Sequence, residues 1–567
     1  MKKKWLKRLI WTFGGMILFL ALGSTAFWLA TKVSPPSPGD RSAELLKTDS
    51  LGPDFYSCGN NWLKKNNSGL WEMYVEGKAF ERGVIQGKLA KNLIYEQEKA
   101  FVSQLAKMVP SRFYQKFLKY FIYWFNRKLD QYLTEEYKLE IYGISLSASP
   151  EFDYIGNNYQ RMLNYHSAHD IGHALQNLSL VGCTSFGAWN GLSEDSSLII
   201  GRNFDFYMGD DFSANKIILF ENPAEGHPFM MVTWGGMIGT VSGMNLSGLT
   251  VTINAAKSDI PFSARTPISL LAREILQYAE TIPEAFAIAE KRATFVSESL
   301  LIGSGKENRA AIIEKSPFGI SLYAPHENYI VCTNHFQSDL FRQDPMNLEN
   351  MRNNASVYRY KRVIQDLKDN FPLGPIKTAQ ILRDQKGLNG SDIGRGNEKA
   401  INQLIAHHSI IFKPQQHLVW ISTPPWQLGP YVCYDLENIF HNFAGLQKKL
   451  EITEPDRVIP PDSFLGSEQY QSFLRFRNMR DSILRAGNSV GSFNPDRSFF
   501  NGFIASNPEF YEVYSLTGDY YRARKDWRSA GIHYRMALMK VIPKQSEKNR
   551  IIKNWAECIV ELNEQKQ

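Results

Sequence analysis

Gly182-Cys183-Thr184-Ser185-Phe186-Gly187, followed by Gly201-Arg202-Asn203-Phe204-Asp205-Phe206, is the part of the sequence that decides the fold. From this point short runs rich in Val, Ile, Phe and Thr alternate with Gly and Asn turns, which predicts two successive strands. A cysteine opens the first strand, and an arginine and a carboxylate stand near the end of the second. Because successive side chains on a strand alternate between its faces, Arg202 and Asp205 can both face the core only if the backbone turns between them.

The rest of the chain changes its pattern at this point. From Trp71 to about Leu178 the apolar spacing is mostly helical, whereas after Leu180 strands and helices alternate. Strands and helices distributed around one core indicate a layered α+β domain. Further strands are predicted at Lys216–Phe220, Phe229–Trp234, Gly248–Asn254, Ala310–Ile313, Ile320–Ala324, Tyr329–Thr333, Ser409–Phe412 and His417–Ser422, and helices near Gln86–Gln104, Arg112–Leu133, Asn164–Leu178, Ile268–Tyr278, Pro283–Arg292, Ser356–Asp369 and Ile376–Arg383.

Cys183 is the candidate nucleophile among the five cysteines of the chain. If the chain were cut between Gly182 and Cys183, Cys183 would gain a free α-amine beside its thiol. An α-amine titrates near about 7.7–8.0, so it can act as a general base without any histidine. The alternative is a buried and inert thiol, which is the usual state of a free cysteine.

Two asparagines follow strands in the downstream sequence. Gly243–Gly248 is typical of a hairpin turn that leads into an apolar strand, and this strand ends at Asn254. Thr333-Asn334-His335-Phe336 repeats the arrangement after another predicted strand. An amide buried without a partner is costly, so both asparagines are expected to have a specific structural or functional role.

Together these motifs resemble the N-terminal nucleophile (Ntn) hydrolases. The resemblance is strongest to the isopenicillin N acyltransferase group, the acyl-CoA:6-aminopenicillanic acid acyltransferases, which are related to the choloylglycine hydrolases. It covers about residues 71–425. Upstream of the nucleophile, Phe80-Glu81-Arg82-Gly83 with Gln86-Gly87 resembles the pro-segment of that group, and Glu140-Ile141-Tyr142-Gly143 resembles a later helix in it.

The resemblance implies a four-layer αββα sandwich and self-cleavage between Gly182 and Cys183. The new N-terminal Cys183 would then attack an acyl carbonyl and form a thioester acyl-enzyme, which water or an amine would resolve. The resemblance also implies a role for each site residue. Asp205 orients the α-amine, Arg202 supports the nucleophile electrostatically, and Asn254 donates to the oxyanion. Asn334 positions the substrate or amine, and the later arginine of the family matches Arg359, with Arg362 as the competing assignment.

Several other interpretations of these residues stay open. Arg202 and Asp205 could form a structural ion pair, and Asn254 and Asn334 could cap turns. His335 beside Asn334 would fit a Cys/His/Asn protease. The whole chain could also be a catalytically inactive binding or scaffold protein with the same fold, or a lipase-like hydrolase of esters.

We expect neither a cofactor nor a metal ion. His166, His169 and His173 would share one face of a helix and could hold zinc. Gly172 weakens such a helix and no fourth ligand is evident, so a surface or linker-facing histidine cluster is the favoured interpretation.

The charge of the chain is concentrated in its N-terminal tail. Lys and Arg number 64 against 57 Asp and Glu, a formal net charge of +7, and six of the basic residues precede Asp40, the first acidic one. The remainder has 58 basic and 57 acidic residues, which gives no support for a nucleic-acid partner. This count concerns the body as a whole. With 43% apolar and 13% aromatic residues, the chain is not a disordered one.

The N-terminus is predicted to anchor the protein in a membrane. The run from Leu9 to Thr31 has no charged residue and is long enough as a helix to cross about 30 Å of hydrocarbon. Basic residues before it predict a cytoplasmic N-terminus and a catalytic domain on the extracytoplasmic side, periplasmic or extracellular. A cleaved signal peptide is the alternative, with Ser24-Thr25-Ala26 as the cleavage site. Export would permit disulfides among Cys58, Cys332, Cys433 and Cys558, but five cysteines leave at least one thiol unpaired.

The C-terminal region carries one unit with the spacing of a tetratricopeptide (TPR) helix pair. Its marks are Tyr514, Gly518, Tyr521, Ala530, Tyr534, Ala537 and Pro543. A single unit suits a helical hairpin packed on the main domain, and a docking module for a protein partner is the alternative.

These observations predict four regions and one class of substrate. Residues 1–40 form the basic tail, anchor and Pro-rich spacer, 41–182 a mostly helical pro-segment, 183–450 the catalytic domain and 451–567 a C-terminal helical region. The substrate is expected to be a small acyl amide or acyl lipid with a linear amide bond. An aromatic-rich segment, residues 113–125, suggests a greasy acyl chain and is equally compatible with an ordinary helix core.

Overall fold

The computed structural model of the protein describes residues 2–109, 111–168, 170, 181–257, 261, 263–442, 451–486 and 494–565. Two β-sheets form its centre. One has eleven strands in the order β1-β2-β3-β4-β7-β8-β9-β10-β11-β12-β13, and the other has six in the order β14-β5-β6-β15-β16-β17. The strands are β1 Asp49–Gly52, β2 Phe55–Cys58, β3 Asn61–Lys65, β4 Trp71–Gly77, β5 Val181–Ala188, β6 Ile199–Phe206, β7 Ile217–Pro223, β8 Phe229–Thr233, β9 Ser242–Asn245, β10 Leu249–Ala255, β11 Glu298–Ser304, β12 Arg309–Ser316, β13 Gly319–Tyr323, β14 Tyr329–Cys332, β15 His408–Lys413, β16 Leu418–Ser422 and β17 Tyr431–Asp435.

Helices flank the sheets and form both ends of the chain. They are α1 Lys2–Thr31, α2 Ala79–Leu89, α3 Lys91–Met108, α4 Arg112–Phe125, α5 Glu135–Ser145, α6 Asn158–His166, α7 Asp210–Ala214, α8 Ile268–Tyr278, α9 Ile282–Lys291, α10 Pro345–Asn353, α11 Ser356–Asn370, α12 Pro375–Leu382, α13 Leu436–His441, α14 Glu468–Ala486, α15 Arg497–Ser506, α16 Tyr511–Ala523, α17 Trp527–Leu538 and α18 Gln545–Glu564. The predicted mixture of strands and helices is thereby confirmed at the level of a mixed α/β fold.

Three apolar clusters show how the elements pack. One joins the inner faces of the two sheets, with Ile218 and Phe220 of β7 in the same cluster as Ile410 and Phe412 of β15. A second packs α2, α5 and α8 on the outer face of the large sheet. A third packs α11 and α12 on the outer face of the small sheet. The small sheet is therefore covered on both faces.

The prediction that the chain is helical from Trp71 onward is wrong for its first residues. Residues 71–77 form β4, which pairs in parallel with β7, and β1, β2 and β3 precede it. The alternation of Trp71, Met73 and Val75 with Glu72 and Glu76 is a strand pattern, which outweighs the helical spacing that follows. Strands β11 and β17 were likewise absent from the prediction.

The two upstream motifs meet in the structure. Arg82 of α2 donates to Glu140 of α5 at 2.7 Å, and its Nε lies 2.7 Å from Glu221 of β7. The helices approach so closely that a Cβ on Gly83 would lie 2.1 Å from the carbonyl oxygen of Glu140. A buried charge cluster thus ties the segment before Cys183 to the sheet that follows it, and removal of one partner would leave an uncompensated buried charge.

The N-terminal helix α1 contains a segment, Ile10–Thr31, that is long and apolar enough to cross a membrane and is exposed in the structure. A signal sequence passes the same test of length and composition. The side chain of Phe27 contacts Tyr120 and Trp124 of α4, with ring centroids 5.8 and 6.2 Å apart. Helix α4 therefore lies against the end of this segment.

The C-terminal helices pack on the main domain. Phe473 and Phe476 of α14 share an apolar cluster with Leu404, Trp426 and Leu428, which lie outside the C-terminal region. Helices α16, α17 and α18 extend the same cluster. This agrees with the interpretation of a hairpin packed on the main domain, while its TPR character stays a prediction.

Candidate active site

Cys183 lies in β5 between two strands of the small sheet and is 1% exposed. In the β5–β6 ladder Gly182 stands opposite Asp205, and Ser185 stands opposite Arg202. Every residue of β6 is buried, so Arg202 and Asp205 both lie in the interior although they face opposite sides of the strand. The expectation that the backbone must turn between them is wrong, because both faces of this sheet are covered.

Arg202 is the cation beside the thiol. Its Nη2 atom lies 3.7 Å from Sγ of Cys183 and donates to the carbonyl oxygen of Ile253 at 2.6 Å. Its Nη1 atom donates to the carbonyl oxygen of Val241 at 2.9 Å. The guanidinium is fixed by backbone acceptors and does not pair with Asp205, so no structural ion pair between them is formed at hydrogen-bond distance.

Asn334 and Arg359 hold the backbone of Cys183. The Oδ1 atom of Asn334 accepts from the backbone N–H of Cys183 at 3.0 Å and from Nη2 of Arg359 at 2.6 Å. Nη1 of Arg359 donates to the carbonyl oxygen of Cys183 at 2.7 Å and to Oγ1 of Thr184 at 2.8 Å. The peptide nitrogen and the carbonyl of Cys183 are therefore both fixed by one connected pair of side chains.

Arg362, the competing assignment, lies elsewhere. It forms ion pairs with Asp366 and Asp384, each at 2.8 Å. The two arginines are three residues apart on α11, and the helix directs Arg359 towards Cys183 and Arg362 towards a separate acidic pair.

Asp205 faces Gly182 on the other side of the small sheet. Its Oδ2 atom accepts from Nε2 of Gln403 at 3.2 Å, while Oδ1 is buried and has no hydrogen-bond partner among the described residues. Gln403 also lies against Gly182, where an added Cβ would be 2.6 Å from its Nε2 atom. Gln403 was absent from the sequence-based candidates because it lies about 200 residues away from both partners (a separation of 198 from Asp205).

Asn254 reaches the site through Ser185. Its Oδ1 atom accepts from Oγ of Ser185 at 2.9 Å, and its Nδ2 atom donates to the carbonyl oxygen of Cys332 at 3.0 Å. Ser185 and Cys183 share one face of β5, since they are two residues apart. A primary amide has two N–H donors, so the bond to Cys332 uses one of the two that Asn254 carries.

Burial controls the protonation of both reactive groups. It raises the pKa of the Cys183 thiol to about 11, although the nearby Arg202 guanidinium acts in the opposite direction. It also raises the pKa of Asp205 to about 7, against the lowering effect of Arg359 and Arg202. With the Gly182–Cys183 bond intact, the thiol is therefore protonated at neutral pH and needs a base before it can attack.

A directional chain of hydrogen bonds leads away from Arg202. The guanidinium donates to Oγ of Ser242, the Ser242 hydroxyl lies 2.8 Å from Nε2 of His408, and Nδ1 of His408 lies 2.9 Å from Nδ1 of His407. Burial lowers the pKa of both histidines well below the usual value, so both rings are neutral. An arginine only donates, and Nη1 of Arg202 also lies 3.5 Å from Nε2 of His408. We therefore assign Nε2 as the acceptor of the Ser242 hydroxyl and the proton of His408 to Nδ1.

Two further histidines within the described ranges, His335 and His166, bond to groups other than Cys183. His335 bonds through Nδ1 to Oγ of Ser356 at 2.8 Å and to Oγ1 of Thr333 at 3.1 Å, which gives a Cys/His/Asn protease no geometric support. His166 is buried, so its assignment to a surface cluster is wrong. Its ring bonds to the carbonyl oxygen of Met162 at 2.8 Å and to the N–H of Ile238 at 3.0 Å.

His169 and His173, the other members of the proposed histidine cluster, lie outside the described residues. Within the described ranges no group of three or more His, Cys, Asp or Glu side chains could hold a metal ion. All five cysteines are buried and none is in a disulfide.

An apolar cavity of about 50 Å³ opens at the end of β6. Phe206, Phe212 and Trp234 line it, together with Ile94 and Met162 from the segment before Cys183. In the β5–β6 ladder Phe204 stands opposite Cys183, and Phe206 lies two residues further along β6. The cavity therefore opens close to Cys183.

Comparison with known proteins agrees with the resemblance inferred from the sequence. Residues 191–423 match the family model described as acyl-coenzyme A:6-aminopenicillanic acid acyl-transferase. This confirms the resemblance to the isopenicillin N acyltransferase group of Ntn hydrolases. The matched segment includes Arg202, Asp205, Asn254, Asn334 and Arg359, and begins after Cys183.

Two curated relatives and one solved structure extend the comparison. An uncharacterized protein of Archaeoglobus fulgidus is 25% identical over 293 residues, 48% of this chain and 47% of that protein. N-acylethanolamine-hydrolyzing acid amidase of Caenorhabditis elegans is 25% identical over 234 residues, 38% of this chain and 59% of that protein. A solved structure, that of the C. elegans ortholog of N-acylethanolamine-hydrolyzing acid amidase, shows 18% identity and a TM-score of 0.31, and the alignment covers 41% of this chain and 93% of the other. The chain spans about half the length of the curated relatives it matches.

Proposed function

We propose that this protein is a self-processing cysteine amidohydrolase or acyltransferase with Cys183 as its nucleophile. The observation that carries the proposal is the set of polar contacts to Cys183. Arg202 lies beside the thiol, Asn334 binds the backbone nitrogen and Arg359 binds the carbonyl. An inert core cysteine has no need for three polar side chains on its thiol and both backbone groups.

Self-processing begins with attack of the Cys183 sulfur on the carbonyl carbon of Gly182. The C–S bond forms, the Gly182–Cys183 C–N bond breaks, and the thiol proton goes to the departing nitrogen. Water then opens the thioester, which leaves a carboxylate on Gly182 and returns a proton to the sulfur. Asp205 stands opposite Gly182, and burial raises its pKa to about 7, which supports a role for it as the proton carrier in this step.

The new α-amine of Cys183 then serves as the base for turnover. In the uncut chain this nitrogen donates to Asn334, and the unpartnered Oδ1 atom of Asp205 offers an acceptor on the opposite side. The amine takes the thiol proton as the sulfur attacks the substrate carbonyl, and returns it to the leaving amine. The second N–H of Asn254 is suited to bind the oxyanion, a contribution worth about 3 kcal/mol in comparable sites.

The substrate we propose is an amide of an apolar acyl chain. The cavity at the end of β6 is lined mostly by apolar side chains, with Gln97 and Glu98 as polar members. The named relative in C. elegans is an N-acylethanolamine-hydrolyzing acid amidase. Water as the acceptor would give hydrolysis, and an amine would give acyl transfer. In fold terms the proposal includes the four-layer αββα sandwich, which the three apolar clusters support.

We further propose that the protein is anchored in a membrane by α1, with the catalytic domain on the extracytoplasmic side. Helix α4 supports this placement because it lies against α1 and exposes aromatic side chains. Phe113 is 82% exposed, and Phe117, Tyr120 and Trp124 are about half exposed on the same face. Exposed aromatic residues beside an apolar helix are typical of the membrane interface.

The decisive experiment is intact mass spectrometry of the denatured wild-type protein beside Cys183→Ala, with Cys433→Ala as the matched control for loss of a buried cysteine. The wild type and the control should yield a fragment of 385 residues that begins at Cys183, and Cys183→Ala should stay whole. A wild type that is active without being cut would contradict the mechanism.

Assays of amide and ester forms of one acyl chain then test the substrate class. An amide turned over by the processed protein supports the proposal, and activity on the ester alone would instead indicate a lipase-like hydrolase. A chain that is neither cut nor labelled by a thiol probe would indicate a binding protein.

A further inference from the structure

A second cavity, of about 250 Å³, shares no lining residue with the first and lies where the C-terminal helices meet the main domain. Its walls come from α10, α11, the loop around residue 399 and the beginning of α18. Five of its lining residues are basic: Arg352, Lys361, Lys399, Lys544 and Lys548. None of the residues that line it within the described chain is acidic.

These positive charges are mostly uncompensated. Lys544 forms an ion pair with Glu398 at 2.8 Å. Among the described residues, the other four cations form no ion pair, and Lys399 stacks over the ring of Tyr358 instead, 4.9 Å from its centroid. Burial lowers the pKa of Lys399, and the nearby Lys548 adds to this effect. The body of the protein is nearly neutral, so this concentration is local.

The beginning of α18 adds backbone donors to the same cavity. Lys544 is the residue before the first turn and provides no side-chain cap, and Gln545 in that turn lines the cavity. The first backbone N–H groups of a helix have no partner within it, and the helix dipole favours an anion there. Cations and unpaired N–H groups together are the donor set that binds phosphate in proteins.

We propose that this cavity binds the phosphate group of a small ligand. A cavity of about 250 Å³ admits a phosphate ester and excludes a folded macromolecule. No carboxylate, thiol or free imidazole lines the described walls, so the site binds the group without reacting with it. The phosphate can belong to a soluble ester or to a phospholipid headgroup, since the chemistry recognised is the same.

The cavity is connected to the active site through one helix. Tyr358 and Lys361 line it from α11, and Arg359 on the same helix binds Cys183. Binding is nevertheless independent of the proposed catalysis, so it is tested in the Cys183→Ala background as well as in the wild type.

The test measures the midpoint of thermal unfolding, Tm, of the full detergent-solubilised chain during titration with inorganic phosphate at constant ionic strength set by chloride. The cavity variant is Lys361→Gln/Lys548→Gln. The control is Lys368→Gln/Lys553→Gln, which removes two exposed lysines from the same two helices outside the cavity. Phosphate should raise Tm in the wild type and the control, and the cavity variant should need at least about tenfold more phosphate for the same shift.

Without phosphate, the cavity variant should have a Tm equal to or above that of the wild type, because the repulsion between these lysines is lost. This measurement distinguishes misfolding of the variant from loss of phosphate binding. Equal phosphate responses in all three proteins would overturn the proposal. Titration with glycerol 3-phosphate and with monomeric dihexanoyl phosphatidic acid then distinguishes the sources. Tighter binding of the first indicates a soluble ester and tighter binding of the second a headgroup, while binding of both by the cavity variant refutes the site.

Discussion

The Oδ1 atom of Asn334 lies 3.0 Å from the backbone nitrogen of Cys183. That nitrogen is the atom that self-cleavage would convert from an amide into the catalytic amine. The same side chain would thus bind the nitrogen before the cut and after it, which fixes the amine without any movement of the strand. Arg359 completes the arrangement, since it holds Asn334 and the Cys183 carbonyl together.

Replacement of Arg359 by lysine should stop processing. The planar guanidinium reaches Cys183, Thr184 and Asn334 at once, and a lysine ammonium cannot reproduce that fork. We expect Arg359→Lys to slow self-cleavage at least ~100-fold, measured as the appearance of the Cys183 fragment over time. Arg362→Lys, on the same helix, is the control and should change the rate by no more than about twofold. Equal effects of both substitutions would contradict the assignment.

Gly182 should tolerate no side chain while Gln403 is present. A Cβ at this position would lie 2.6 Å from Nε2 of Gln403 and would push the scissile carbonyl away from the sulfur. Gly182→Ala should therefore slow self-cleavage at least ~10-fold, because a displacement of about 1 Å is enough for such a loss. Added to Gln403→Ala, the same substitution should have little further effect. If the two substitutions slowed self-cleavage independently, so that their fold-changes multiplied in the double variant, the clash with Gln403 would not be the cause.

The pH dependence of stability should report on Asp205. Burial raises its pKa to about 7, so the folded state holds the proton more tightly than the unfolded chain. The stability this group contributes is complete below about pH 4 and is lost as the pH rises through about 7. In the Cys183→Ala background, the free energy of unfolding should fall from pH 5 to pH 8 by on the order of 2 kcal/mol more than in Cys183→Ala/Asp205→Asn. The free energy of unfolding is measured by urea titration at pH 5 and at pH 8. An equal fall in both variants would show that Asp205 is not the group responsible.

The aromatic face of α4 should bind membranes. Phe113→Ser/Phe117→Ser removes two exposed rings, and it should weaken vesicle binding of a chain that begins at Lys32 by at least ~10-fold. Co-sedimentation with anionic vesicles measures the effect. Phe318→Ser/Leu322→Ser, which removes two exposed apolar side chains elsewhere, should bind as the unmodified chain does. A loss of the same size in this control would indicate a general effect of surface apolarity.

Local patterns in the sequence were sufficient for most elements. The predicted helix Ile268–Tyr278 has the bounds that the structure gives, because its apolar spacing and its flanking residues act within one segment. Strands β5, β6 and β8 were placed within two residues for the same reason, and β7 ends three residues beyond its predicted end. Strand β4 was missed because its alternating pattern directly precedes a long helical one, and β11 was missed because it contains Gly303 close to its end, next to the turn at residues 305–308.

The site depended on information that no local pattern contains. Cys183, Arg202 and Asn334 could be proposed from motifs, yet the choice between Arg359 and Arg362 required the orientation of α11. Gln403 and His408 reach the site from a distant loop and strand. They could not be inferred, because their importance lies in contacts with residues about 200 positions away (198 for Gln403 and Asp205, 206 for His408 and Arg202).

The parallel pairing of β4 with β7 has one more consequence. It joins a strand that precedes Gly182 to a strand that follows Cys183, over seven consecutive residue pairs. A cut at Gly182 would therefore leave the two fragments associated as a heterodimer. Mass measured under denaturing conditions would show two fragments, whereas mass measured under native conditions would stay that of the whole chain. In such a heterodimer the membrane helix and the nucleophile would belong to different polypeptides, and a shared sheet, rather than a peptide bond, would keep the enzyme at the bilayer.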